Sequence, residues 1–194
     1  MKGAYIFFAD GFEDMEAVGT VDVLRRGGLE IKLVSINDYN TVRSSRGIPM
    51  VTDLTWTAFL KEQKRASGKT AKDDLMIFPG GMPGTRNLAA DAPLMDLMKK
   101  HFAEGGTVAA ICAAPGLVAS QLDGVEGRHF TCFDGFEDYM IAKGAKYEKK
   151  PAVVDGNLIT GRGAGCAVAF GLAILGELRG EEAVREVRHG LMLD

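Results

Sequence analysis

The chain has 194 residues, of which 46% are apolar and 25% charged, and carries a net charge of −3 at pH 7. That size predicts a single domain over residues 1–194 with a substantial core, and the slightly negative charge gives no pull toward nucleic acid or an anionic membrane. No apolar run reaches the ~20 residues of a spanning helix, no leader pattern opens the chain, and three widely spaced cysteines without a C-x-x-C pair argue against a disulfide framework or a metal site, so a cytoplasmic protein is expected.

The first strand is expected at Ala4 to Ala9. Glu13 to Arg26 then carries apolar residues at Met15, Val18, Val21 and Leu24, a helical stripe stopped by Gly27 and Gly28. Glu30 to Ile36 alternates as a strand, and Tyr39 to Asp53 reads as a short excursion with two small strands around Gly47, Ile48 and Pro49. Lys61 to Lys72 is polar and mostly basic, which predicts a solvated connection. Leu75 to Phe78 is a buried-strand signal that runs into Pro79, Gly80 and Gly81, and Pro93 to Glu104 predicts a helix.

Thr107 to Gly116 carries the most chemistry. An apolar strand runs into Cys112, small residues follow, and Pro115 suits the first turn of a helix. Such a junction lifts a side chain out of the core and sets backbone N–H groups beside it, as in the elbow that presents the serine of hydrolases. Further on, Ala152 to Thr160 predicts a hairpin around Asp155 and Gly156. Gly163 to Leu178 and Glu181 to Arg188 predict helices. Strands alternating with helices imply an α/β fold with a mainly parallel sheet covered on both faces.

Ligands of open α/β sheets bind outside the carboxyl ends of the strands. Three segments are therefore expected to converge there: Asp10 to Glu16, Pro79 to Gly84, and Cys112 to Ala114. Thiolate is the reactive form of cysteine, and a helix N-terminus favours it. The backbone N–H groups of Gly81 and Ala113 suit a developing oxyanion. On position alone, a buried Cys112 acting as a small hydrophobe is an equally good reading. Cys132 lacks such a setting, and Cys166, inside an apolar helix, is expected to pack.

Four motifs share one order and spacing: Glu13 to Glu16, Phe78 to Gly81, Ala110 to Pro115, and Thr160 to Gly165. In this the chain resembles the ThiJ/PfpI superfamily, in the branch that contains the Parkinson-associated protein DJ-one and bacterial ThiJ-like relatives. The resemblance implies a flavodoxin-like three-layer sandwich, a homodimer, a cysteine on the elbow at Cys112 and a glutamate beside it at Glu16. Two effects compete on that glutamate. The helix dipole favours the carboxylate by roughly 0.3–1 kcal/mol, whereas burial can raise a carboxyl by up to ~3–5 units. A buried Glu16 is thus expected to be neutral and to donate to the sulfur, while Glu13 and Asp14 stay outside and solvated. The same resemblance places Gly80, Arg46 and Arg162 as substrate contacts, with no cofactor and no metal. It also shows a departure: Cys132 or Phe133 stands where relatives carry a histidine, and His129 is off register. Base work then falls to Glu16 or to water.

What the resemblance implies is a cysteine-dependent glyoxalase or deglycase that takes methylglyoxal-like 2-oxoaldehydes or their adducts. The alternative is a redox sensor or stress chaperone whose Cys112 is oxidised to sulfinate. A protease or amidotransferase is disfavoured, because Ala113 replaces the protease branch's histidine and Ala110 and Ala114 replace the amidotransferase glycines.

Overall fold

The structure, a computed structural model, describes residues 1–193; Asp194, the last residue of the expected domain, lies outside the described residues. In chain order the elements are β1 (Ala4–Phe8), α1 (Asp14–Arg26), β2 (Ile31–Ser35), β3 (Thr41–Arg43), β4 (Pro49–Val51), α2 (Trp56–Arg65) and β5 (Leu75–Phe78). Then come α3 (Gly84–Ala90), α4 (Ala92–Ala103), β6 (Thr107–Ile111), α5 (Ala114–Leu117), β7 (His129–Phe130), α6 (Asp138–Ile141) and β8 (Lys146–Tyr147). The chain finishes with β9 (Ala152–Asp155), β10 (Leu158–Gly161), α7 (Ala167–Arg179) and α8 (Glu181–Gly190).

Six strands form the central sheet in the order β2-β1-β5-β6-β10-β9, all parallel except β9, which pairs antiparallel with β10 through the Asp155–Gly156 hairpin. The central strands are near-continuous apolar runs because both of their faces are covered. Alternate residues supply two separate cores. Phe7, Met76, Phe78, Val108 and Ala110 face Phe59 of α2, Leu88 of α3 and Met98 of α4. Ile6, Phe8, Ile77, Ala109 and Ile111 face Val23 and Leu24 of α1 and Phe170 and Ile174 of α7. This is the three-layer α/β sandwich with a mainly parallel sheet that the sequence implied. None of the described helices is long and apolar enough to cross a membrane.

Several local expectations are corrected. The stripe on α1 holds only in part: Val21 and Leu24 are buried, but Met15 and Val18 are 60% and 57% exposed. The face that turns inward carries Glu16, Ala17, Thr20 and Val23. Small residues decide this, because α1 crosses α7 closely enough that a Cβ on Gly171 would lie 2.9 Å from Val23. Residues 61–65 are not a loop but the last turns of α2, which Thr55 caps through Ala58 N–H and which Phe59 anchors in the core. Glu62 adds a bond from the Tyr5 hydroxyl and an ion pair with Lys32. A basic surface hid one buried aromatic. Finally, α7 starts at Ala167, so Cys166 sits half-buried in the turn before it rather than inside it.

His101, on α4, is fully buried. Its Nε2 lies 3.2 Å from the Thr107 carbonyl, which only accepts, so Nε2 carries the proton and Nδ1 accepts from the Met1 ammonium at 3.3 Å. Burial, followed by that ammonium, pushes His101 from its ordinary 6.5 down to about 4. The stability this neutral ring supplies is complete above pH 6.5 and is lost as pH falls toward 4, a loss of about 3 kcal/mol. Urea unfolding at pH 7 and pH 4 should therefore show a markedly larger acid loss in the wild type than in His101→Gln. Equal losses would contradict this account.

Candidate functional site

The converging segments meet at the carboxyl ends of β1, β5 and β6. Cys112 immediately follows β6 with φ +66°, in the left-handed region that non-glycine residues avoid. A residue held this way costs about 1–3 kcal/mol and persists only where its surroundings over-determine it. Here two bonds do so: the Cys112 N–H donates to the Gly161 carbonyl at 3.0 Å, and the Cys112 carbonyl accepts from Phe133 N–H at 2.8 Å. The chain then turns at once into α5, with Ala114 and Pro115 in its first turn. The result is a half-buried thiol on a sharp elbow.

Glu16 reaches the same place from α1 and is 1% exposed. Its Oε2 accepts from Gly80 N–H at 2.8 Å, while Oε1 is buried without a partner of normal hydrogen-bond geometry. Gly80 separates the two side chains: a Cβ built there would lie 2.4 Å from Glu16 Oε2, 2.5 Å from Cys112 Cβ and 3.0 Å from Cys112 Sγ. Gly81 follows at φ +92°, and a Cβ on it would meet the Glu13 nitrogen at 2.4 Å and the Gly11 carbonyl oxygen at 2.5 Å. Both glycines are thus required by close approach, the first of a thiol and a carboxyl, the second of the β1 loop. Gly80→Ala should push the pair apart, destabilising the fold by about 1–3 kcal/mol and slowing Cys112 alkylation by iodoacetamide. An alanine variant with wild-type melting and labelling would contradict this geometry.

The electrostatics follow from burial. It raises Glu16 from 4.5 to about 7, with the Glu13 charge adding to it, while the Cys112 thiol and the Gly80 N–H act the other way. Burial also pushes the Cys112 thiol up to about 12, helped by the Glu16 carboxylate, while the backbone N–H groups of Ala113 and Gly81 pull it down. Glu16 is raised, as expected for a buried carboxyl. Each group disfavours the charge of the other, so the pair gives up its two protons in separate steps. The reason is that the two groups are buried side by side and would carry charges of one sign.

Glu13 is not a free solvated group. Its carboxylate caps α1 by accepting from Glu16 N–H at 2.8 Å, and its own N–H donates to the Gly80 carbonyl at 2.9 Å. The signal for this was present, since an acceptor three residues before Glu16 matches a capping pattern. Asp14 also departs from expectation, with Oδ2 buried and unpartnered. Gly80, Gly81 and Ala113 surround the thiol as expected. Arg46 lies in an exposed turn that docks on Phe12, the residue before Glu13, through the Ser45 N–H. Arg162 follows β10, but its Nη2 donates to both carboxylate oxygens of Asp134 at 2.8 and 3.0 Å. No local pattern links residues 28 positions apart, so this pairing was invisible in the sequence. Phe133, which with Cys132 is one of the two residues expected at the histidine position, holds the Cys112 carbonyl with its backbone. His129 points away and pairs with Glu148.

A family model described as the DJ-1/PfpI family matches residues 2–177. Protein dj-1beta of Drosophila melanogaster is 33% identical over 193 residues, covering 99% of this chain and 97% of its own. The crystal structure of Drosophila melanogaster DJ-1beta superposes with a TM-score of 0.85 at 32% identity, over 98% of this chain and 97% of that one. A Caenorhabditis elegans relative named glutathione-independent glyoxalase DJR-1.2 is 33% identical over 181 residues, 93% of this chain and 90% of its own.

Proposed function

The chain belongs to the DJ-1/PfpI family, and from that premise we propose that it is a cofactor-independent glyoxalase or deglycase acting on methylglyoxal-like 2-oxoaldehydes or their adducts. The observation that carries the reading is the pair itself: a thiol on a strained elbow, beside a buried carboxyl that titrates near neutrality. A relative of similar length that is named for glyoxalase activity supports it.

The chemistry balances within the pair. Glu16 as carboxylate takes the thiol proton while sulfur adds to the aldehyde carbon; the S–C bond forms, the carbonyl π bond breaks, and the oxygen is protonated to give a hemithioacetal. The carboxylate then removes the proton from that carbon, and the enediol is reprotonated at the adjacent carbon. One carbon is oxidised and its neighbour reduced, leaving a thioester of a 2-hydroxy acid. Water releases the acid and restores the thiol. The N–H groups of Gly81 and Ala113 favour negative charge at the sulfur and at the new alkoxide. Each proton moves by way of one carboxyl, so its ionisation near 7 suits both directions of transfer.

The working unit in this reading is a cytoplasmic homodimer. Its support is a groove of about 530 Å³ whose lining includes the exposed Met15, Val18 and Ile48 alongside Met50 and Val168. Incubating the protein with methylglyoxal in the absence of glutathione should consume the aldehyde and form lactate over many turnovers. A protein that shows no turnover, yet is oxidised by peroxide at Cys112 alone, is instead the redox sensor that shares this site.

A further inference from the structure

We infer that Phe133 is a specificity-determining residue of this site, an aromatic wall that favours carbonyl compounds bearing an aryl or bulky apolar substituent over those bearing methyl. This rests on the cysteine reading above. Apart from the Glu16 carboxyl, the thiol's neighbours are residues with little or no side chain, namely Gly80, Gly81 and Ala113. These groups hold the reacting carbonyl and its oxygen identically whatever else the substrate carries. Discrimination must come from a side chain just outside them.

The arginine that follows β10, expected as a substrate contact, is already committed. Arg162 is held by both oxygens of Asp134, and Asp134 is shared with Lys149 at 3.7 Å. Phe133 is not committed. Its backbone is fixed to the Cys112 carbonyl, and its ring lies over buried Gly163, where an added Cβ would be 3.3 Å from Cδ2. Gly163 is two residues from Gly161, whose carbonyl holds the Cys112 N–H. The ring is therefore carried by one segment that pins the elbow and rests against the other, and it is still 51% exposed. Phe136, the next aromatic, is turned the other way and packs against Gly116 and Tyr139. A half-open ring on the residue that holds the nucleophile's own carbonyl is a surface for a flat apolar group, and ring–ring contact adds attraction beyond the area covered.

Bromoacetone and phenacyl bromide test this, because they share a leaving group and a carbonyl and differ only in methyl against phenyl. In each, Cys112 sulfur displaces bromide, and the rate is read by mass spectrometry of the labelled peptide. Relative to the same ratio for N-acetylcysteine, wild-type Cys112 should prefer the phenyl reagent by about tenfold, a preference kept in Phe133→Tyr and reduced to about twofold or less in Phe133→Ala. Phenylglyoxal against methylglyoxal should show the same pattern in kcat/KM. Alanine slowing both reagents equally would make Phe133 merely structural and overturn the inference while leaving the cysteine reading standing. Cys112 labelling no faster than Cys166 with either reagent, together with no aldehyde turnover, would overturn both.

Discussion

Cys112→Ser should lower methylglyoxal turnover by about a thousandfold or more while leaving the fold unchanged. Serine keeps the Cβ, so it inherits the left-handed backbone and the two bonds that enforce it, to Gly161 and from Phe133. What changes is the nucleophile. A carboxylate that titrates near 7 can accept a proton from a thiol as the sulfur attacks, but a hydroxyl is far less acidic and less nucleophilic toward a carbonyl carbon. The residual N–H groups of Gly81 and Ala113 cannot make up the difference. Retention of a tenth of the wild-type rate would remove Cys112 from the chemistry and return it to the role of a small buried side chain.

Glu16→Gln is the complementary case, and it moves activity and stability in opposite directions. Loss of the proton shuttle should reduce kcat/KM by about 10²–10⁴-fold and erase the rise in rate expected of the wild type as pH passes through about 7. The stability sign follows from the same shift. Glu16 titrates at about 7 in the fold and at an ordinary 4.5 when unfolded. The fold therefore favours the protonated carboxyl, and that contribution is complete below pH 4.5 and lost as pH rises through 7. The loss is about 3 kcal/mol. Glutamine stays neutral and still accepts from Gly80 N–H, so the variant should be more stable than the wild type at pH 8 and nearly equal to it at pH 4. Denaturant unfolding at those two pH values measures this; a variant less stable at pH 8 would mean that the buried carboxylate has a partner this geometry lacks. The strained Cys112 and the buried Glu16 thus both lower stability in the place where the chemistry is proposed.

Much of this was legible along the chain. The apolar runs at β1, β5 and β6 encode strands buried on both faces, and their alternation with helical segments encodes a parallel sheet. The elbow at Cys112 was readable because its cause is local: strand, small residues, proline. The α1 face was not readable in full, since Met15 and Val18 are as apolar as Val21 and Leu24, and only the approach of α7 at Gly171 selects which of them turn inward. α2 was obscured because a basic surface outweighed the single buried Phe59.

The sequence by itself determined the sandwich, the place of the thiol and, through spaced motifs, the carboxyl that accompanies it. The sheet and the elbow follow from periodicity and turn chemistry, which act over a few residues, whereas the carboxyl is what the family resemblance of the spaced motifs implies. Only the tertiary structure decided how strongly burial raises the two groups and which charges are available. Burial of Glu16 beside Cys112 raises both groups, and Asp134 occupies Arg162 from 28 residues away. Desolvation and long-range pairing depend on what surrounds a group in space, and no residue carries that information in its immediate neighbours.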